Sequence, residues 1–336
     1  PFTLKEWQHD ATMVLEKNPN YWNKEAIKLD RVEYTIVVDT KTIVNMYEAG
    51  DIDLAALSKD FIAKYAAEGK ANYYATGSEF FFQINMKGKT PGAGKFLANN
   101  NFRQALGYAI DRQAFCDQVL KNGSMAAQRY ILPLLMGDKD KFAVEYPYEF
   151  YPKNADVAKA KELLAAALKE LGTTEDKMPA FEYLTDDSDV ARTNAEAVQD
   201  MLAKNLGVKI EIKQVQFKQR LELMEAHDYD IVFAGWGPDY DDPMTYTDLW
   251  VTGGGHNNTD WSNPEYDKLI AFAKTSPDSK ARAEAMFASE KILLEQGPIV
   301  PIYFRNGVYA MQPYVKGIIR NFIGADPDYV FADIQK

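Results

Sequence analysis

The richest run of chemically capable side chains in this sequence is Trp236-Gly237-Pro238-Asp239-Tyr240-Asp241-Asp242-Pro243. Two aromatics, three carboxylates, a glycine and two prolines in eight residues exceed what a connector needs. Carboxylates in such a loop can accept hydrogen bonds from an ammonium group, hold a hard cation, or take part in acid–base work. Pro238 and Pro243 stiffen the loop, and Gly237 lets another backbone approach closely. The three aspartates read differently. Asp242 before Pro243 fits an N-cap followed by a proline in the first helical position, with Met244 to Trp250 as the helix. Asp241 is either solvated or assists that cap. Asp239, between Pro238 and Tyr240, is the candidate ligand carboxylate, against the plain alternative of a surface aspartate.

Catalytic and metal chemistries find little else to use. Paired carboxylates that cleave glycosides need a controlled separation across a sugar, which three aspartates in one loop do not supply. The oxygen-ligand spacing of an EF-hand is absent. His9, His227 and His256 are scattered, outside any HExxH helix or GxSxG elbow, and read as surface or packing residues. Thr252-Gly253-Gly254-Gly255 lacks the lysine of a phosphate loop and reads as a turn. The lone Cys116 cannot form an internal disulfide and reads as a small buried apolar side chain. The expectation is no catalytic residues, no metal and no cofactor. A net charge of −11 with no basic stripe disfavours a nucleic-acid partner.

The elements that must position the loop follow from periodicity. Thr12 to Lys17 and Arg31 to Val38 alternate as half-buried strands, and Asn18-Pro19-Asn20 between them is a turn. Lys41 to Tyr47 reads as a short helix ending at Gly50, followed by a strand from Ile52 to Leu57. Glu79 to Met86 is a continuous apolar strand. Phe102 to Asn122 has helical spacing throughout, and Asp156 to Leu171 repeats it up to Gly172. Next come a strand (Phe181 to Thr185), a helix (Ser188 to Asn205), a strand (Val208 to Val215), a helix (Lys218 to Ala226) and a strand (Tyr229 to Gly235). Strands alternating with helices imply parallel pairing and an α/β lobe, with ligands expected beyond the strand carboxyl ends. A last long helix is expected from Pro277 to Gln296, with Ser276 as N-cap, then a buried strand at Ile299 to Arg305 and a last segment ending in Tyr329 to Ile334. No apolar run approaches the ~20 residues that span a bilayer.

Several of these segments together resemble the family 5 extracellular solute-binding proteins, the oligopeptide and dipeptide receptors of ABC importers. Pro1-Phe2-Thr3-Leu4 with Asn18-Pro19-Asn20-Tyr21-Trp22 is similar to the family's GPY…NPxYW opening. Tyr47-Glu48-Ala49-Gly50-Asp51-Ile52-Asp53 resembles its SGEID segment. Phe82-Gln83-Ile84-Asn85, Phe102-Arg103-Gln104-Ala105-Leu106 and Ala109-Ile110-Asp111-Arg112 resemble its RQALxxAIDR block. Trp236 to Pro243 resembles GWxADYxDP, Asn263-Pro264-Glu265-Tyr266-Asp267 resembles NPEYD, and Pro298 to Tyr303 closes the set in family order.

The resemblance implies an α/β, type II periplasmic-binding-protein fold, with mixed sheets, helices on both faces and two hinged lobes closing on a ligand in the cleft between them. It assigns residues 1–85 and 304–336 to an incomplete first lobe and 86–303 to a complete second lobe, with hinge segments at Asn85 to Lys87 and Tyr303 to Arg305. A leader, an extra small domain and part of the first lobe are expected to lie outside this sequence, since Pro1 to Leu4 reads as a cut through a strand. By analogy, Asp239 pairs with a peptide's α-ammonium, the strand end at Gly235, Trp236 and Gly237 hydrogen-bonds the ligand backbone, and Trp236 and Tyr240 line the site. The implied partners are a short peptide and ABC permease subunits, for a monomer that is extracytoplasmic, either periplasmic or lipid-anchored. One departure stands out: Met224 to Phe233 holds no Arg or Lys, where some family members place basic residues for the peptide C-terminus. Sugars and metal chelates are the alternative ligands on this fold, a carboxylate hydrolase is the enzyme alternative, and a surface sensor or chaperone is a third.

Overall fold

The computed structural model describes residues 1–324 and 326–336. In chain order its strands are β1 (Phe2–Gln8), β2 (Thr12–Lys17), β3 (Arg31–Thr35), β4 (Leu54–Ala56), β5 (Asn72–Ile84), β6 (Met125–Ala126), β7 (Phe181–Asp186), β8 (Ile210–Val215), β9 (Ile231–Trp236), β10 (Ile299–Met311), β11 (Val315–Lys316) and β12 (Asp333–Ile334). The chain forms two compact units: Pro1–Thr76 with Lys121–Gly123 and Asn306–Lys336, and Gly77–Leu120 with Ser124–Arg305.

The first unit carries the antiparallel β1–β2–β3 sheet, β4 on the end of β10, and a small core. Helix Thr40–Ala49 is started by Asp39, whose side chain accepts from Thr42 N, and is stopped at Gly50 in the left-handed region at φ 83°. It buries Val44 and Tyr47 against Ile62 and Tyr65 of helix Lys59–Ala67 and Val308 of β10.

The second unit is built on a mixed sheet. Within it, β5 and β9 run antiparallel, β7 lies parallel to β9, and β8 parallel to β7. The parallel pairs are joined by helices Asp189–Leu206 and Phe217–Glu225, as the alternation of periods requires. Aromatics fill both faces. Phe82 and Tyr183 meet edge to face, Phe181 packs on Phe96 and Phe102, and Phe115 stacks on Tyr303. On the opposite face, Phe81 meets Tyr130 and Trp250. Burying rings of this size is worth about 25 cal/mol per Å² of apolar surface, which makes this sheet the rigid base for anything at its strand ends.

Several expectations are corrected. The helix expected over Phe102 to Asn122 is two: Asn100–Tyr108, then Arg112–Ala114 running into a π-helical turn, Phe115–Leu120. Asp111 starts the second by accepting from Ala114 N, and buried Arg112 donates to the carbonyls of Gly107 and Ile110, so the break satisfies its own backbone. The last long helix is Ser279–Gln296, capped by Asp278 rather than Ser276. Ser276 instead ends helix Pro264–Thr275, capped by Asn263, which the apolar pattern did not reveal. The two compact units divide the chain at 76/77, 120/121, 123/124 and 305/306. Residues Glu79 to Ile84 are laddered to β9, which holds them in the second unit, and the chain crosses at 76/77. Asn85 is buried there, donating to the carbonyls of His227 and Tyr229.

Candidate functional site

All five sequence-predicted site residues lie in the second unit, at the carboxyl end of β9. The β7 ladder on β9 pairs Ile231 and Val232 only, whereas β5 continues alongside to Trp236. From Phe233 onward one edge of β9 is therefore unladdered, with the Phe233 carbonyl taken by Arg220 Nη1 at 2.6 Å. Gly235 and Gly237 are exposed there. In the register, Gly235 is paired with Phe80, and a Cβ at Gly235 would sit 2.9 Å from the Phe80 ring and 3.0 Å from the Glu79 carbonyl. A Cβ at Gly237 would sit 3.3 Å from Ser78 Oγ. Glycine at 235 is thus demanded by the neighbouring strand, and it also leaves the backbone open to a second chain.

The loop beyond the strand is held by Thr245. Its Oγ1 accepts from Trp236 Nε1 at 3.3 Å and from Asp239 N at 3.1 Å, tying the strand end and the loop to the helix that follows. Trp236 packs edge-on against His256 at 5.1 Å between ring centroids. Asp242 accepts from Met244 N at 2.8 Å and forms a two-pronged ion pair with Arg282. Its carbonyl accepts from Thr245 N, so Asp242 holds the start of the short helix Met244–Thr247; the helix expected to run on to Trp250 passes instead into a 3-10 turn, Asp248–Trp250. Asp241 is a strut, accepting from Met136 N at 2.9 Å. Asp239 is exposed, and its carboxylate has no hydrogen-bond or ion-pair partner among the described residues. Tyr240 is 46% exposed, and partial burial with Asp242 nearby raises its pKa. The loop therefore uses two of its carboxylates for construction and presents the third.

Other candidates resolve into packing. His227 Nδ1 lies 2.8 Å from Asp260, and Cys116 is buried, its thiol pushed up to about 12 by burial and then by Asp117. No group of three or more His, Cys, Asp or Glu could hold a metal ion among the described residues. A cavity of about 620 Å³, lined in part by Met125, Tyr148 and Phe304, contains none of the five predicted residues.

The profile of the family described as "Bacterial extracellular solute-binding proteins, family 5 Middle" matches residues 1–258. The chain belongs to this family. It is 30% identical to the dipeptide-binding protein DppE of Bacillus subtilis (strain 168) over 327 residues, covering 96% of this chain and 58% of that protein. It is 28% identical to the periplasmic oligopeptide-binding protein OppA of Salmonella typhimurium over 332 residues, covering 97% and 58%. Among solved structures, Listeria monocytogenes OppA bound to peptide superposes with a TM-score of 0.85 at 35% identity, over 100% of this chain and 64% of that one. The fold is that of the type II periplasmic-binding proteins, and the chain spans about three-fifths of its relatives' length (58% for DppE).

Two features of this solute-binding family member escaped sequence reasoning. Thr245 looked like an ordinary helix residue, and only the loop's return shows it holding Trp236 and Asp239 together. Glu79 read as the edge of an apolar strand, yet it is fully buried with both carboxylate oxygens unpartnered among the described residues. Burial pushes its pKa well up, Glu290 adds to this and Arg129 opposes it. A charge at the head of the EFFF run was the available signal.

Proposed function

We propose that the protein containing this chain captures short peptides outside the cytoplasm and passes them to the permease of an ABC importer. The observation that carries this reading is the β9 terminus: an unladdered strand edge, two exposed glycines and, two residues on, a carboxylate with no internal partner. An extended peptide added at such an edge gains main-chain hydrogen bonds that do not depend on its side chains. Asp239 then accepts from the peptide's α-ammonium and sets the register, a charge-assisted contact stronger than a neutral one. Trp236 and Tyr240 supply flat apolar faces beside it. The protein works as a monomer, either periplasmic or lipid-anchored, and its acidic balance gives nucleic acid no footprint.

The test uses the full-length protein incubated with a mixed peptide digest, washed, and released for mass spectrometry. Retention of peptides with free amino termini, lost in Asp239→Asn and resistant to N-acetylated competitors, is expected. Retention that is indifferent to Asp239→Asn, or thermal stabilisation by sugars or metal chelates alone, overturns the peptide reading.

A further inference from the structure

The open edge of β9 has two unlike faces. Arg220 meets the Phe233 carbonyl at this edge and pairs with Asp186, at the end of β7, at 3.1 Å, so the edge opens only beyond residue 233. Backbone groups along a strand point to alternate edges, so Gly235 presents its N–H and C=O on the side that Phe233 does. Side chains alternate between the faces in the same way. Phe233 shares its face with Phe80 and Phe82, at 5.7 and 6.1 Å between ring centroids, and Gly235 adds no side chain to that face. Trp236 lies on the other face, where its indole N–H is engaged by Thr245 and its ring meets His256 at 5.1 Å and 65°. His256 is exposed, and its ring nitrogens have no hydrogen-bond partner among the described residues. The residue after it fixes its place: Asn257 is buried and donates to the carbonyls of Trp250, Val251 and Trp261. Before it, a Cβ at Gly255 would meet nothing within 4 Å, so the loop leaves open space beside the imidazole.

We infer that His256, with Trp236, selects the side chain of one residue of the bound peptide, and that it selects an aromatic ring with a hydrogen-bonding tip, tyrosine above all; this deepens the peptide reading above and rests on it. A peptide residue laid across the open edge opposite Trp236 puts its side chain on the Trp236 face. Its neighbours on either side point to the face where Gly235 offers no side chain. Two rings inclined at 65° make a corner, and a flat side chain fills it against the indole. The indole N–H is already engaged, so the imidazole, which can both donate and accept, gives the corner its polar capacity. A phenol hydroxyl can answer it in either sense. A phenyl ring fills the corner without answering it, and an aliphatic side chain does neither as well. Main-chain pairing thus serves any peptide, while selectivity falls on a single position.

The experiment offers the full-length protein alanine pentapeptides with free termini that carry a single tyrosine, phenylalanine or leucine at each position in turn, and quantifies retention by mass spectrometry. At one position the wild type is expected to hold tyrosine about 3- to 10-fold more tightly than phenylalanine, the range of one net hydrogen bond, and phenylalanine more tightly than leucine. The positions on either side are expected to show no such preference. His256→Phe keeps a ring without nitrogens and is expected to abolish the advantage of tyrosine over phenylalanine; His256→Ala is expected to weaken the preference for phenylalanine over leucine as well. Circular dichroism melting of each variant shows that it is folded. A flat profile at every position, or a tyrosine advantage that survives His256→Phe, overturns the inference. If retention still requires a free amino terminus and Asp239, the peptide reading stands while the His256 assignment falls. If the wild type retains neither these peptides nor those of the digest, both fall together.

Discussion

Replacing Asp242 by alanine tests whether the loop is built as described. The substitution removes the hydrogen bond from Met244 N (2.8 Å) and both prongs of the Arg282 pair, one of them 2.9 Å. The N-cap is worth about 1 kcal/mol. Both side chains of the ion pair are 27% exposed, so the pair is partly shielded from water, and its charged hydrogen bonds are worth about 1.5–3 kcal/mol. The sum, about 3 kcal/mol, corresponds to a drop of about 6–12 °C in the melting temperature of a unit this size. Scanning calorimetry of the full-length protein measures it, with Arg282→Ala and the double variant completing a thermodynamic cycle. The expected coupling is about 1–2 kcal/mol, because Arg282→Ala leaves the cap intact. Peptide affinity should fall as well, since the helix start that Asp242 secures carries Thr245, which holds Trp236 and Asp239. A melting temperature within 2 °C of wild type, taking ~2–4 °C per kcal/mol, or strict additivity with Arg282→Ala, would refute the account.

Other outcomes follow from the same geometry. Glu79 has a raised pKa in the folded protein, so the folded state holds its proton after the unfolded chain has lost one; stability should decline as pH rises above the unfolded value of about 4.3. Glu79→Gln should flatten that decline and raise the melting temperature at neutral pH, with the two proteins converging near pH 4; a wild-type advantage at pH 8 would show that the carboxylate is stabilised. Arg129→Met leaves Glu290 buried without its cation and should cost about 3–5 kcal/mol, read by urea denaturation. Gly235→Ala presses a Cβ against the Phe80 ring and the Glu79 carbonyl and should cost about 1–3 kcal/mol, together with peptide affinity. Cys116 should resist iodoacetamide at pH 8 in the native state and react after unfolding, because its thiol is buried and pushed up to about 12.

Much of the secondary structure was legible because its causes are local. Thr12 to Lys17 alternates, and it is a strand over those residues. Asp242-Pro243 is a helix start whatever surrounds it, and Met244 N and Thr245 N bond to it accordingly. The errors came where a distant group decided. The apolar spacing of Phe102 to Asn122 runs straight through a break that buried Arg112 stabilises, and periodicity carries no trace of that side chain's return to Gly107. Ser276 and Asp278 both offer a cap beside Pro277, and the side chain of Asp278 takes Ala281 N.

The sequence by itself determined the run Trp236 to Pro243 as a stiff, carboxylate-rich loop, the family, and the place of Asp242 at a helix start. Those follow from residue types and neighbours, and spacing along the chain records them. The tertiary structure alone decided that β7 ends its ladder at Val232 while β5 continues, that Thr245 ties Trp236 to Asp239, and that Glu79 is fully buried. It also placed Arg305, about 70 residues along the chain from Gly235, over the ring beside that glycine. Strand pairing joins residues remote in sequence through backbone hydrogen bonds, which almost any side chain permits, so register and the patches it assembles leave little mark on the sequence.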